Sequence, residues 1–155
     1  MAERKTRDEV LDLLRRGRAE LEAALGRLAE SQLETPGLAG GTWSAKDLMA
    51  HIAFWESLMV QRLGGPRAAV EWAGDVDSTN AAVYAANRSR LLADVRREFG
   101  AVYQELLALV ERLSDGELNS ARAPDGERVA WEQIRDETWG HYPEHVVDLG
   151  GRSSG

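Results

Sequence analysis

The chain has 155 residues, of which 43% are hydrophobic and 29% charged, with a formal net charge of −7 and no cysteine. That length supports one domain around one core, and the missing cysteine excludes a disulfide framework, a thiolate metal ligand and a cysteine nucleophile. The acidic balance, with carboxylates interspersed among the arginines, argues against a nucleic-acid partner, which calls for a basic face.

Thr6 and Glu9 form a capping-box pattern, and Val10, Leu11, Leu14, Leu21, Leu25 and Leu28 follow at helical spacing. This predicts a first helix from Thr6 to Glu30, ended by a loop with Thr35, Pro36, Gly37, Gly40 and Gly41. Ser44 then supplies an N-cap, Asp47 stands three residues later, and Trp43 is placed to staple onto Leu48. The second helix carries Leu48, Ile52, Trp55, Met59 and Leu63 on one stripe, with His51 on the same inward side, and Gly64, Gly65 and Pro66 stop it. Arg67 to Ala73 reads as a short helix and Gly74 to Ser78 as a loop. From Ser78 a long third helix is expected to Leu113, with Val83, Tyr84, Asn87, Leu91, Val95, Phe99, Val102, Leu106 and Leu109 on one face. A fourth runs from Val129 to Leu149, with Trp131, Ile134, Thr138, His141, His145 and Leu149 on its stripe. Pro143, helped by Gly140, predicts a kink between the two histidines. No period-two alternation persists, so the expected architecture is an all-α, single-domain four-helix bundle.

The chain has three histidines, and all three fall on these inward stripes. His141 and His145, at i and i+4, share a helix face; His51 on a facing helix supplies a third imidazole. Three protein ligands with a coordination position left open describe a catalytic metal site, and neutral imidazole suits Zn, Ni, Fe or Cu. The same pattern also fits hydrogen-bonded core histidines. Glu56, Tyr142 and Glu144 stand beside the triad as candidate general base, proton donor or orienting groups. Among the five tryptophans, Trp43, Trp55 and Trp139 lie nearest the histidines in sequence and are candidate walls of a flat ligand pocket, with core packing as the alternative.

The segment from Thr42 to Glu56, with Trp43, Ser44, Lys46, Asp47, Leu48, His51, Trp55 and Glu56, resembles a motif of the DinB/YfiT-like superfamily, and more narrowly of its ClbS/DfsB branch. Asp77 to Asn80, Leu113 to Leu118 and Thr138 to His145 match further signatures of that branch, so the resemblance spans residues 6 to 150. It implies a four-helix bundle, often a homodimer, with a pocket where His51, His141 and His145 converge. It also implies one divalent transition metal (Zn or Ni) on those histidines, as in DinB-like relatives, some of which transfer mycothiol or bacillithiol. The activity implied by the narrower branch is hydrolysis of a strained electrophile in detoxification or self-resistance. The alternatives are a metal-dependent thiol transferase and a non-catalytic protein that sequesters a small molecule. No apolar run approaches the roughly 20 residues that cross a bilayer, and the charged start lacks a signal core, so no membrane partner and a cytoplasmic location are expected.

Overall fold

A computed structural model of the chain describes residues 3–64, 74–121 and 128–150. The short helix expected over Arg67 to Ala73, with Trp72, lies outside the described residues. Helix α1 (Arg7–Gly26) opens on Thr6, whose hydroxyl accepts the Glu9 backbone N–H at 3.2 Å. It stops short of the expected Glu30, which instead opens a 3-10 turn, Glu30–Gln32. Helix α2 (Ala45–Arg62) has the reciprocal cap its sequence announces: Asp47 N–H donates to Ser44 Oγ at 3.1 Å, and Ser44 N–H to Asp47 Oδ2 at 2.9 Å. The Leu48, Ile52, Trp55, Met59 and Leu63 stripe is buried. Burial continues round the helix to Lys46, His51 and Glu56, because α2 is packed by neighbours on several sides.

Those neighbours are α3 (Val76–Asn87), α4 (Leu92–Arg112) and α6 (Ala130–Glu137), with α4 the most extensive contact. Helix α5 (Asp115–Leu118) is one turn, capped by Ser114 and Glu117, and α7 (Tyr142–Gly150) packs on α1. The four-helix bundle is therefore α1, α2, α4 and the α6–α7 pair. The only strand-like pairing among the described residues is an isolated bridge between Ala121 and Val129.

Two expected helices are broken. The third divides at Arg88 to Leu91, where the buried Lys46 of α2 donates its ammonium to the carbonyls of Arg88 (3.0 Å) and Arg90 (2.6 Å). These carbonyls are claimed by a side chain instead of by the next helical turn. The chain direction changes there, and Leu91, expected on the inward face, is 69% exposed. The fourth divides at Thr138 to His141, so the break precedes both histidines and does not fall between them. Pro143 is the second residue of α7 and is exposed. In a first turn its missing N–H would have had no helical partner, so it starts the helix and does not kink it.

The apolar core falls into two clusters. One gathers Leu14, Met59, Tyr103, Leu106, Trp131 and Ile134, the other Leu21, Leu48, Ile52, Val95, Phe99, Tyr142 and Leu149. Between them, on α1 and α2, stand Arg18 at 2% and Glu56 at 0% exposure.

Candidate functional site

The break at Thr138 builds the site. The Thr138 carbonyl accepts the N–H groups of both His141 (2.8 Å) and Tyr142 (2.7 Å), and Gly140 N–H returns to the Arg135 carbonyl at 2.8 Å. A Cβ on Gly140 would sit 2.8 Å from that same carbonyl, so the turn requires glycine. It leaves His141 just ahead of α7 and His145 one turn into it, with their Nε2 atoms 2.8 Å apart. His51, from α2, closes the group with ring centroids 6.1 Å from His141 and 5.4 Å from His145. One ring nitrogen from each of the three lies within 4.8 Å of the others. His51 Nδ1 is buried with no hydrogen-bond partner, a state a buried polar atom tolerates poorly without a ligand. The convergent nitrogen donors fit a divalent transition metal.

Burial pushes the His51 imidazole down to about 4, and His141 adds to the shift while the Asn80 side chain opposes it. Burial, then His141 and His51, take His145 down to about 3. Both rings are therefore neutral near pH 7, the form in which imidazole ligates a metal.

Two clefts meet at the triad. One, of about 420 Å³, is bounded by His145, Asp148, Trp43 and the Ala39 to Thr42 loop. The other, of about 180 Å³, is lined by His51, His141, Trp55, Asn80, Asp136 and Glu137. Trp43 is half-buried and edge-on to His51 at 4.9 Å, and its other side stacks with Tyr84. Trp55 Nε1 donates to Asn80 Oδ1 at 2.9 Å. Trp139 lines neither cleft; it packs over α1, where a Cβ on Gly17 would meet its own Cβ at 2.8 Å. Glu144 is exposed, its carboxylate 3.6 Å from His141 Nδ1. Glu56 and Tyr142 are buried below the clefts and line neither. The Tyr142 hydroxyl donates to Glu56 Oε2, and Arg18 stands 3.3 Å from Glu56 Oε1. Burial raises the Glu56 carboxyl to about 7 against the pull of Arg18 and Tyr142, and raises the Tyr142 phenol well above its ordinary value.

Arg18 and Glu137 escape the sequence argument, and Asn80 enters it only within the Asp77 to Asn80 resemblance, with no role assigned. Arg18 does leave a signal, since it sits four residues after Leu14 and three before Leu21, on a stripe otherwise apolar. Glu137 lies four residues before His141, and burial raises its carboxyl despite Arg62 and Arg128.

The family model described as the DinB superfamily matches residues 13–139. Among solved structures the chain is similar to an uncharacterised protein from Escherichia coli UTI89, at 19% identity over 96% of this chain and 93% of that one, with a TM-score of 0.77. It is similar to the colibactin self-resistance protein ClbS in complex with a dsDNA, at 17% identity over 98% of both chains and a TM-score of 0.77. It is also similar to DfsB, described as a sibling lethal factor precursor, at 16% identity over 98% and 97% and the same TM-score of 0.77. At these identities the likeness establishes an all-α DinB-like fold. No curated protein sequence matches significantly. The ClbS complex overturns the expectation that excludes nucleic acid, because a protein of this fold holds double-stranded DNA. Net charge is a sum over the whole surface, whereas a duplex meets one patch.

Proposed function

Because the chain belongs to the DinB superfamily, we propose that it is a detoxification or self-resistance protein that hydrolyses a small strained electrophile at the three-histidine site. The observation that carries this reading is the convergence of His51, His141 and His145 within 4.8 Å at the junction of two clefts. The self-resistance role of ClbS, which shares the fold, supports the detoxification or self-resistance part of the reading.

His51, His141 and His145 would hold one divalent ion, which when bound lowers the pKa of water and polarises an electrophile. The chain's own residues do the rest. The 420 Å³ cleft, walled by the Trp43 indole, takes the apolar body of the substrate. The smaller cleft offers Glu137 as a carboxylate that accepts the proton of an attacking water. For a cyclopropane the balance is simple: the water oxygen bonds to one ring carbon, the ring C–C bond breaks, and its electron pair takes a proton. Asn80, fixed by Trp55, orients what lies against His51.

The test is incubation of the purified, untagged protein with an activated cyclopropane, with and without added Zn or Ni, followed by mass analysis. Hydrolysis yields the substrate plus one water, and His51→Ala or His145→Ala abolishes it in folded protein. Product formed only when a low-molecular-weight thiol is supplied identifies a thiol transferase instead. Tryptophan quenching with no product identifies a sequestering protein.

A further inference from the structure

The geometry points to a positioning role for the buried Arg18–Glu56–Tyr142 cluster: it fixes α7, and with it His141 and His145, against His51. The inference rests on the three-histidine site and concerns how that site is held in register.

The cluster is expensive for the fold. A buried ion pair often stabilises no more than apolar residues of the same volume, so its presence calls for a reason other than stability. Its connections supply one. The Arg18 guanidinium lies between the rings of Phe99 (3.7 Å to the centroid) and Tyr103 (4.3 Å) on α4. It donates to Glu22 at 3.1 Å, to Glu56 at 3.3 Å and to the Phe99 carbonyl at 3.1 Å. That anchors the Glu56 carboxylate to α1 and α4 at once. Glu56 lies five residues beyond His51 on the same helix, and the hydroxyl it accepts belongs to the residue immediately after His141.

The break at Thr138 makes this contact matter. In a continuous helix the backbone of α6 would set the rotation of the histidine face. An interrupted helix is free of that constraint, and each residue of an α-helix turns by about 100°. The Tyr142 hydroxyl supplies a fixed point at the first residue of α7, three residues before His145, and refers it to the helix that carries His51. Glu56 and Tyr142, fully buried and lining neither cleft, act through the histidines and do not touch substrate.

Tyr142→Phe keeps the ring in the core and removes only the hydroxyl. Two readouts decide: the imidazole ¹H–¹⁵N spectrum of the metal-free protein at fixed pH, and Zn affinity by competition with a chromophoric chelator. The expected result is a folded protein in which the His141 and His145 ring signals lose their mutual hydrogen-bond signature and Zn binds about tenfold more weakly. Glu56→Gln keeps an oxygen acceptor for the hydroxyl and gives a smaller change in both; it decides in the same way if Tyr142→Phe does not fold. Leu109→Ala, which opens the other core cluster, leaves the ring signals as they are in the parent protein. Unchanged ring signals in Tyr142→Phe, or the same change in Leu109→Ala, overturn the positioning role. A parent protein that takes no Zn sinks the metal centre of the proposed function, while the ring signals still decide this inference.

Discussion

His141 and His145 face each other through Nε2 atoms 2.8 Å apart, although the helix that carries His145 begins only after His141. Beside them His51 Nδ1 is buried and has no hydrogen-bond partner. One ion drawing a nitrogen from each ring would bring all three donors onto a common partner. The three rings therefore offer convergent nitrogen donors, the geometry on which the metal reading rests.

Metal binding has a thermal signature. An ion that binds the native state alone stabilises it by about 2.7 kcal/mol at a hundred times Kd, and a domain of this size gains roughly 2–4 °C per kcal/mol. Zn or Ni at that excess is expected to raise the melting temperature by roughly 5–10 °C in scanning calorimetry. His51→Ala and His145→Ala lose the shift. An equal shift in either variant places the ion elsewhere.

Stability of the metal-free protein depends on pH through opposed groups. His51 and His145, held at about 4 and about 3 against an ordinary 6.5, contribute stability fully present above 6.5 and lost as pH falls toward those values. Glu56, raised from 4.5 to about 7, contributes stability fully present below 4.5 and lost as pH rises toward 7. Glu137, raised in the same direction, works with Glu56. Glu56→Gln removes one opposing proton, so between pH 4.5 and 7 its stability climbs with pH more steeply than the parent's, by up to about 1.4 kcal/mol per unit. Urea midpoints across that range measure the difference, and parallel curves would contradict the buried carboxyl's shift.

What the sequence discloses follows from how local each signal is. Ser44 and Asp47 cap α2 within one turn, and the stripe from Leu48 to Leu63 repeats at helical spacing, so both are legible. The inward placement of His51 and His145 comes from the same periodicity. The breaks at Arg88 to Leu91 and Thr138 to His141 are not legible in this way. The first is held by Lys46, which reaches it from another helix. The second depends on one carbonyl serving two N–H donors and on a glycine too crowded for a Cβ. Charge misleads for the same reason: Arg18 interrupts an apolar stripe, but its pairing with Glu56 is invisible until the helices are placed side by side.

Lys46 offers a direct test of the first break. Its ammonium is buried at 6% exposure and satisfies two carbonyls of the α3–α4 turn, with Glu34 at 3.3 Å. Lys46→Met keeps most of the apolar stem and strands both carbonyls, at a total cost of about 1–3 kcal/mol because the turn at Arg88 is exposed and water replaces part of what is lost. Chemical denaturation is expected to show a loss in that range, with hydrogen exchange accelerated at Arg90 and Asp94, whose N–H groups bond within the turn. A neutral substitution would mean the turn is held by its own backbone.

Gly140 and Pro143 separate the residue that shapes the second break from the one that merely follows it. A methyl on Gly140 meets the Arg135 carbonyl at 2.8 Å, and backbone on both sides leaves little room to yield. Gly140→Ala is expected to cost about 1–3 kcal/mol, the range for an overpacked site. Because the same turn delivers His141, it also weakens Zn binding. Pro143 is exposed in the first turn of α7, where no helical acceptor awaits its nitrogen. Pro143→Ala therefore changes stability by less than about 1 kcal/mol, chiefly through the freedom returned to the unfolded chain. It leaves the histidine geometry and Zn affinity as they are. Thermal melts and chelator competition on the two variants side by side test this. A Pro143→Ala protein that loses Zn as Gly140→Ala does would return the kink to the proline and move the origin of the site from the Thr138 turn to α7 itself.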